Sequence, residues 1–285
     1  MRLLALLALA ALPASADILL HDDEGVALRL EKPAARVVAL APHFAELMFE
    51  IGAGERVVGA VDWTDTPEEA KRIPRVGDGF RIDVERVIAM KPDMVLAWGT
   101  GTPRAMIETL RRFGLPVAVL VPDELDSIGR HVQWLGRLTG RESQARQAAD
   151  AFRQRLEELR RQHAGEERLR VFYQINDPLL FTVGGEHIIS EAIRVCGGEN
   201  VFAELGPGAH AVTLEAVLAR SPQVIVIGAH DETLYPAATR WKEWLGDAAS
   251  IHVIDANDIA RPTLRMLGGV QEICTSLAEA RVTAR

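Results

Sequence analysis

The chain has 285 residues, of which 48% are hydrophobic and 25% charged, an ordinary globular composition that excludes low-complexity and disordered classes. That length suits one large domain or two smaller ones. The formal charge of -8, with no basic run to offset it, argues against a nucleic-acid partner.

The first residues, MRLLALLALAALPASA, place Arg2 before an apolar run from residue 3 to 12 and end in Ala14-Ser15-Ala16, the small-x-small pattern of a secretory cleavage site. The run is shorter than the roughly 20 residues that span a bilayer. Residues 1–16 therefore read as a signal peptide cleaved after Ala16, with no cysteine following it to carry a lipid, and order is expected from about residue 33 onward. No later stretch reads as a membrane span, so the mature chain is expected to be exported and soluble. In an oxidising compartment Cys196 and Cys274 form an even pair that favours a disulfide. Closing so long a loop is worth roughly 4 kcal/mol in the chain-entropy view.

From residue 33 to 140 strands and helices alternate. RVVALAP (36–42) reads as a buried strand, AELMFEIGAG as a helix ending at Gly52 or Gly54, and RVVGAV as a second strand. DVERVIAMK is a short helix capped by Asp83. DMVLAW and PVAVLV are two further strands, and SIGRHVQWLGRLTG is a helix stopped by Gly140. Continuous apolar strands separated by helices indicate a parallel sheet covered on both faces.

Residues 141–167 differ. Around glutamate and arginine, Ala148, Ala151, Phe152, Leu156 and Leu159 recur at helical spacing without an internal proline. One helix from about Glu142 to His163 has a length of roughly 33 Å, enough to act as a stiff strut between two bodies.

Residues 168–285 then repeat the first plan. RVFYQI is a strand, and SEAIRVCGGENVF matches AELMFEIGAGERVV in its helix, glycine pair and glutamate. TLEAVLARSPQVIVIGA (213–229) returns DVERVIAMKPDMVLAWG (83–99), with Glu85 and Glu215 in matching places. HVIDA precedes a last helix through RMLGGVQEICTSLAEA. The expected fold is α/β: two similar parallel-sheet lobes joined by one long rigid helix, with a ligand cleft between them.

Ligands of open α/β sheets bind beyond the carboxyl ends of the strands. In the first half those ends carry His43, Phe44, Trp63, Phe80 and Trp98. In the second half they carry 176–181 with Phe181, then His210, His230, and 257–261 with Arg261. Only 5% of the chain is aromatic, yet several rings fall at these ends. Such a cleft suits a large, flat, amphipathic ligand. Arg261 is placed to bind a ligand amide or phosphate, or to pair with Asp258. The histidines show no tight ligand spacing. His43 and His210 therefore read as hydrogen-bonding or packing groups, with ligation of a ligand's metal the less favoured role and no resident metal expected.

In order and over nearly the whole mature chain, the stretches RVVALAPHFAELMFEIGAGERVVGAVDWTDTPEEA, DVERVIAMKPDMVLAWG, RVFYQI, VCGGENVF, LEAVLARSPQ and ARPTLR resemble the periplasmic substrate-binding proteins of ABC importers that have a single helix between lobes. VCGGENVF with LARSPQ resembles the cobalamin-binding branch; KPD before an apolar strand is shared across the class. The resemblance implies a periplasmic monomer that carries cobalamin or a related corrinoid to a dimeric ABC permease. It also supports the Cys196–Cys274 bond and ring residues at Trp63 and Trp98. By position, Glu85 and Glu215 would be the acidic tips that engage the permease, although a glutamate in the first turn of a helix is also favoured by the helix dipole. The pattern departs from the family at Trp63, where Tyr is usual, and lacks tryptophans near Gly79–Phe80 and near Ala209. Haem or a ferric siderophore remains the alternative cargo. An exported enzyme is the remote one, since no G-x-S-x-G, Walker A, G-x-G-x-x-G or H-E-x-x-H is present.

Overall fold

The computed structural model describes residues 17–175, 179–229 and 235–283. It opens with a feature the sequence reading missed, an antiparallel hairpin of β1 (Ile18–His21) and β2 (Ala27–Leu30). The turn between them carries Asp22, whose Oδ1 accepts from Glu24 and Val26 N–H while Oδ2 accepts from Val119 N–H at 3.0 Å. Asp23 bridges Val121 N–H at 2.6 Å and His131 at 2.7 Å. Two four-residue strands are too short to show period-2 patterning, and the hairpin is held by these side chains together with Leu20, Leu28 and Leu30, which are buried in the main core.

The first lobe follows in the expected alternation. β3 (Val37–Ala39) leads into α1 (Pro42–Glu50), then β4 (Val57–Ala60), α2 (Val84–Ala89) and β5 (Met94–Trp98). α3 (Arg104–Arg112), β6 (Val117–Leu120) and α4 (Leu125–Thr139) complete it. α4 stops at Gly140, whose φ of 64° is the left-handed cap that glycine supplies without steric cost. The four strands form a parallel sheet in the order β4-β3-β5-β6, and every residue of β3 and β6 is buried. Burial on both faces is why these strands read as unbroken apolar runs.

α5 (Glu142–Gln162) is the uninterrupted helix the spacing predicts. Ala145, Ala149, Phe152, Leu156 and Leu159 form its buried stripe, while Arg and Glu line the other face. Burying Phe152, Leu156 and Leu159 stabilises the packing by about 2 kcal/mol each relative to exposure. One hydrophobic cluster runs from Val37 and Leu47 of the first lobe through Phe152 and Leu156 to Val171 and Val226 beyond it. The strut is thus bonded to both lobes by a common core.

The second lobe comprises β7 (Leu169–Gln174), β8 (Phe181–Val183), α6 (Ile188–Val195), β9 (Gly198–Asn200), β10 (Ala209–Ala211), α7 (Leu214–Ala219) and β11 (Val224–Ala229). α8 (Tyr235–Leu245), β12 (Ser250–Asp255), α9 (Ala256–Ile259) and α10 (Met266–Thr283) end it. Its parallel sheet has the order β12-β11-β7-β9. Matching β7 to β3, β9 to β4, β11 to β5 and β12 to β6 gives the same strand order in both lobes.

The repeat extends to single backbone angles. Asp83 caps α2 by accepting from Arg86 N–H, and Thr213 caps α7 by accepting from Ala216 N–H. Lys91 and Ser221, each before a proline, adopt left-handed φ values of 46° and 47°. Arg36 Nε donates to Met90 O in one lobe and Arg170 Nε to Ser221 O in the other, an acceptor one repeat position later. Cys196 and Cys274 are disulfide-bonded, with Cα atoms 4.6 Å apart, tying the end of α6 to α10.

Candidate functional site

In the first lobe the chain leaves β3 through Leu40 and Ala41 and enters α1 at Pro42, a residue suited to the first helical position because it lacks an N–H. His43 therefore sits in the first turn of a helix at the sheet's carboxyl edge. It is 4% exposed and meets Trp98 edge-on, with centroids 5.3 Å apart. Trp98 closes β5, and its ring lies over the following loop: a Cβ at Gly101 would fall 1.9 Å from the ring.

Trp63 follows β4 in the left-handed region, at φ 65°, uncommon for a bulky side chain. The turn is held by Thr64 Oγ1 donating to Val61 O and by Arg75 donating to Thr64 O. Trp63 is 76% exposed, which for an indole costs hydrophobic stabilisation that a ligand's face would restore.

The second lobe contributes the turn after β12. Asp255 caps α9 by accepting from Asn257 N–H, and the short helix delivers Asn257, Ala260 and Arg261 to the facing wall. Among the described residues, Pro42, His43, Trp63, Asp65 and Trp98 complete the lining of a cleft of ≈ 590 Å³ between the lobes. Among the described residues, a larger crevice of ≈ 700 Å³ among Ile251, His252, Asp255 and Glu272 has no Trp, Tyr or Phe in its wall.

Charges at the cleft floor are paired across the lobes. Arg261 Nη1 donates to Asp65 Oδ1 at 2.7 Å and lies 3.7 Å from Glu46 Oε2. Glu46, 2% exposed on α1, accepts from Thr263 Oγ1 at 2.9 Å and from two guanidinium nitrogens of Arg265. Arg265 also donates to Asp258 Oδ1 at 3.0 Å. The Arg261 hydrogen bond holds the Asp65 carboxyl below the usual carboxylate range. Burial, and then the neighbouring Glu46 charge, pushes Glu50 up to about 7.

His43 is pushed down to about 3, first by burial and then by the nearby His131 and Arg261 charges, so its imidazole is neutral at physiological pH. Its Nε2 and the Trp98 Nε1 are both buried without a hydrogen-bond partner. Buried polar atoms without partners are rare enough to need an explanation. Among the described residues no cluster of three His, Cys, Asp or Glu side chains is placed to hold a metal ion.

The periplasmic binding protein family model matches residues 37–248. The chain belongs to that family. Among its relatives, the vitamin B12-binding protein of Vibrio campbellii is 32% identical over 247 residues, 85% of this chain and 89% of the relative. The crystal structure of the periplasmic vitamin B12 binding protein BtuF of Vibrio cholerae superposes with a TM-score of 0.81 at 31% identity, covering 87% of this chain and 98% of that one. A periplasmic haem-binding protein, BhuT, in complex with two haems shares the fold at a TM-score of 0.74 and 22% identity, covering 87% and 99%.

Within this member of the periplasmic binding protein family, four of the eight sequence-predicted cleft residues, His43, Trp63, Trp98 and Arg261, come together. Phe44 does not. It is fully buried in the first-lobe core, because consecutive helical positions point about 100° apart and a cleft-facing His43 turns its neighbour inward. Phe80 is 72% exposed on a turn that Asp78 organises by accepting from Phe80 and Arg81 N–H, outside the cleft lining. Phe181 and His210 lie on the paired strands β8 and β10, also outside that lining; His210 Nε2 contacts Gly206 O. Arg261 pairs with Asp65 rather than Asp258, which Arg265 takes instead. His230 and residues 176–178, like the signal segment 1–16, lie outside the described residues.

Sequence reasoning missed Asp65, Glu46 and Arg265. Asp65 had a signal in its position two residues beyond Trp63. Glu46 and Arg265 had none, since their partners are more than 200 positions away and only the closed pair of lobes makes them neighbours. Glu85 and Glu215 are exposed in the first turns of α2 and α7, away from the cleft. The Glu215 carboxyl is held below its usual range by its own backbone N–H and then by the Thr213 hydroxyl.

Proposed function

We propose that this protein captures cobalamin or a closely related corrinoid outside the cytoplasm and delivers it to an ABC importer, performing no chemistry on the ligand. The observation that carries the reading is the interlobe cleft at the strands' carboxyl ends, where an exposed Trp63 and a half-buried Trp98 face a polar wall of Asn257 and Arg261. A corrin is a flat macrocycle with apolar faces and an amide rim, which suits rings on one side and hydrogen-bonding groups on the other. The vitamin B12-binding relatives, aligned over most of their length, support the same ligand.

On this reading residues 1–16 direct export and are removed. Lobes spanning 33–140 and 168–285 flank the linking segment 141–167 of a periplasmic monomer. Glu85 and Glu215, one matched acidic tip per lobe, dock on a two-fold permease dimer, favouring encounter and register more than affinity. Release follows when the permease separates the lobes.

Isothermal titration of the purified protein with cyanocobalamin, cobinamide and haemin tests the assignment. The expected outcome is a 1:1 cyanocobalamin complex with Kd below about 1 µM, weakened at least about tenfold by Trp63→Ala. Tight uptake of haemin with cyanocobalamin left free would replace the corrinoid reading with the haem one.

A further inference from the structure

The wall of the cleft has an unusual charge balance. Among the described residues Arg261 is the guanidinium that lines it, and a free guanidinium there would be the natural receptor for a carboxylate on the ligand. Here Arg261 is already engaged by Asp65 at 2.7 Å and by the Trp63 carbonyl at 3.4 Å, with Glu46 at 3.7 Å. Behind it Arg265 is occupied by Glu46 and Asp258. Among the described residues the cations facing Asp65, Glu46 and Asp258 are thus Arg261 and Arg265, and both are taken up by these carboxylates rather than left for an anionic group.

Beside Asp65, the ring residues of the first-lobe wall offer polarity without charge. His43 and Trp98 line the same cleft, and their ring nitrogens Nε2 and Nε1 lie buried and unpartnered just behind its surface. The indole N–H donates only, and a neutral imidazole nitrogen can donate or accept according to its tautomer. A primary carboxamide, which carries both an N–H donor and a carbonyl acceptor, can satisfy such groups. A carboxylate cannot satisfy an accepting nitrogen, and it brings a charge into a site whose own charges are spent on one another.

We propose that the Asp65–Arg261 bridge, together with the unpartnered ring nitrogens of His43 and Trp98, makes this cleft select ligands with an uncharged amide rim and reject those with a carboxylate rim. Asp65 is then a specificity-determining residue: by occupying Arg261 it removes the group that would otherwise welcome acids. The inference rests on the corrinoid reading above and adds to it the rule by which the site discriminates among large tetrapyrrole-like ligands.

The test compares cyanocobalamin with its monocarboxylic acids, in which one rim amide is hydrolysed, by isothermal titration at pH 7.5 in low and high salt. The wild-type protein should bind the acids about 10- to 100-fold more weakly than the amide, with the ratio shrinking in 0.5 M salt as charge repulsion is screened. Asp65→Asn should narrow that ratio about tenfold by freeing Arg261. The Asp65 side chain is 44% exposed, so its substitution leaves the core intact, and a thermal melt of the variant checks that. Equal binding of amide and acids by the wild type, or an unchanged ratio in Asp65→Asn, overturns the inference while leaving the corrinoid reading in place. Failure of cyanocobalamin itself to bind overturns both.

Discussion

The buried pair between Glu46 and Arg265 is the contact whose removal should most disturb the two-lobed arrangement. Glu46 belongs to α1 and its side chain is 3% exposed; Arg265 precedes α10 and is 33% exposed. Replacing Arg265 by Met keeps the aliphatic stem but leaves a buried carboxylate with only Thr263 in hydrogen-bond contact and Arg261 at 3.7 Å. Glu50, already pushed up to about 7, loses the Arg265 charge that partly offsets its burial. Breaking a buried ion pair from one side costs about 3–5 kcal/mol. Arg265 is partly solvated and Thr263 remains, so the lower end, about 3 kcal/mol, is expected. Because one core cluster runs through both lobes and α5, that loss should appear in a single urea transition. It should also lower Tm by about 6–9 °C, at roughly 2–3 °C per kcal/mol for a chain of this size. The decisive measurement is a double-mutant cycle with Glu46→Leu. Arg265→Met within about 0.5 kcal/mol of wild type, or a double variant no more stable than the additive sum of the singles, would refute the coupling.

Two further outcomes follow from the same structure. The Cys196–Cys274 bond spans a sequence separation of 78, so replacing both cysteines with Ala should lower stability by roughly 4 kcal/mol in urea titrations; a loss below about 1 kcal/mol would contradict the loop-closure account. Burial depresses His43 to about 3 and His187 to about 4, so both take up protons on unfolding: the stability they contribute is complete above pH ~6.5 and is lost as pH falls toward those values, by up to ~1.4 kcal/mol per unit per histidine. Glu50, raised to about 7, acts oppositely, contributing stability that is full below pH ~4.5 and lost as pH rises through 7. Urea midpoints are therefore best compared in a Glu50→Gln background, where no change between pH 6.5 and 5 would show that the histidines are not protected as described.

Much of the scaffold was legible because its signals are local. Unbroken apolar runs such as VVALA and VIVIG appear as strands buried on both faces. Asp83, Thr213 and Gly140 act at the helix ends where their side chains or conformational freedom suggest. The repeated KPD and SPQ segments even share a left-handed residue. The hairpin at residues 18–30 was missed for the converse reason: it is held by Asp22 and Asp23 bonding to Val119 and Val121, nearly 100 residues away, and by leucines that join the main core.

The site was legible only in part. Strand ends can be found by counting, which is how Trp63, Trp98, His43 and Arg261 were found. Whether a ring at a strand end faces the gap depends on the helical or turn geometry that follows. Phe44 turns inward on α1, and Phe181 and His210 are drawn into the small β8–β10 pair.

By itself the sequence determined the α/β class, the twofold repetition and the uninterrupted strut, because periodicity, capping and proline placement act within a few residues. Tertiary structure alone decided which charges meet. Arg261 could have served a ligand or Asp258. It meets Asp65 because the lobes close on one another around a shared core, and pairings between residues about 200 positions apart leave no local trace in a chain.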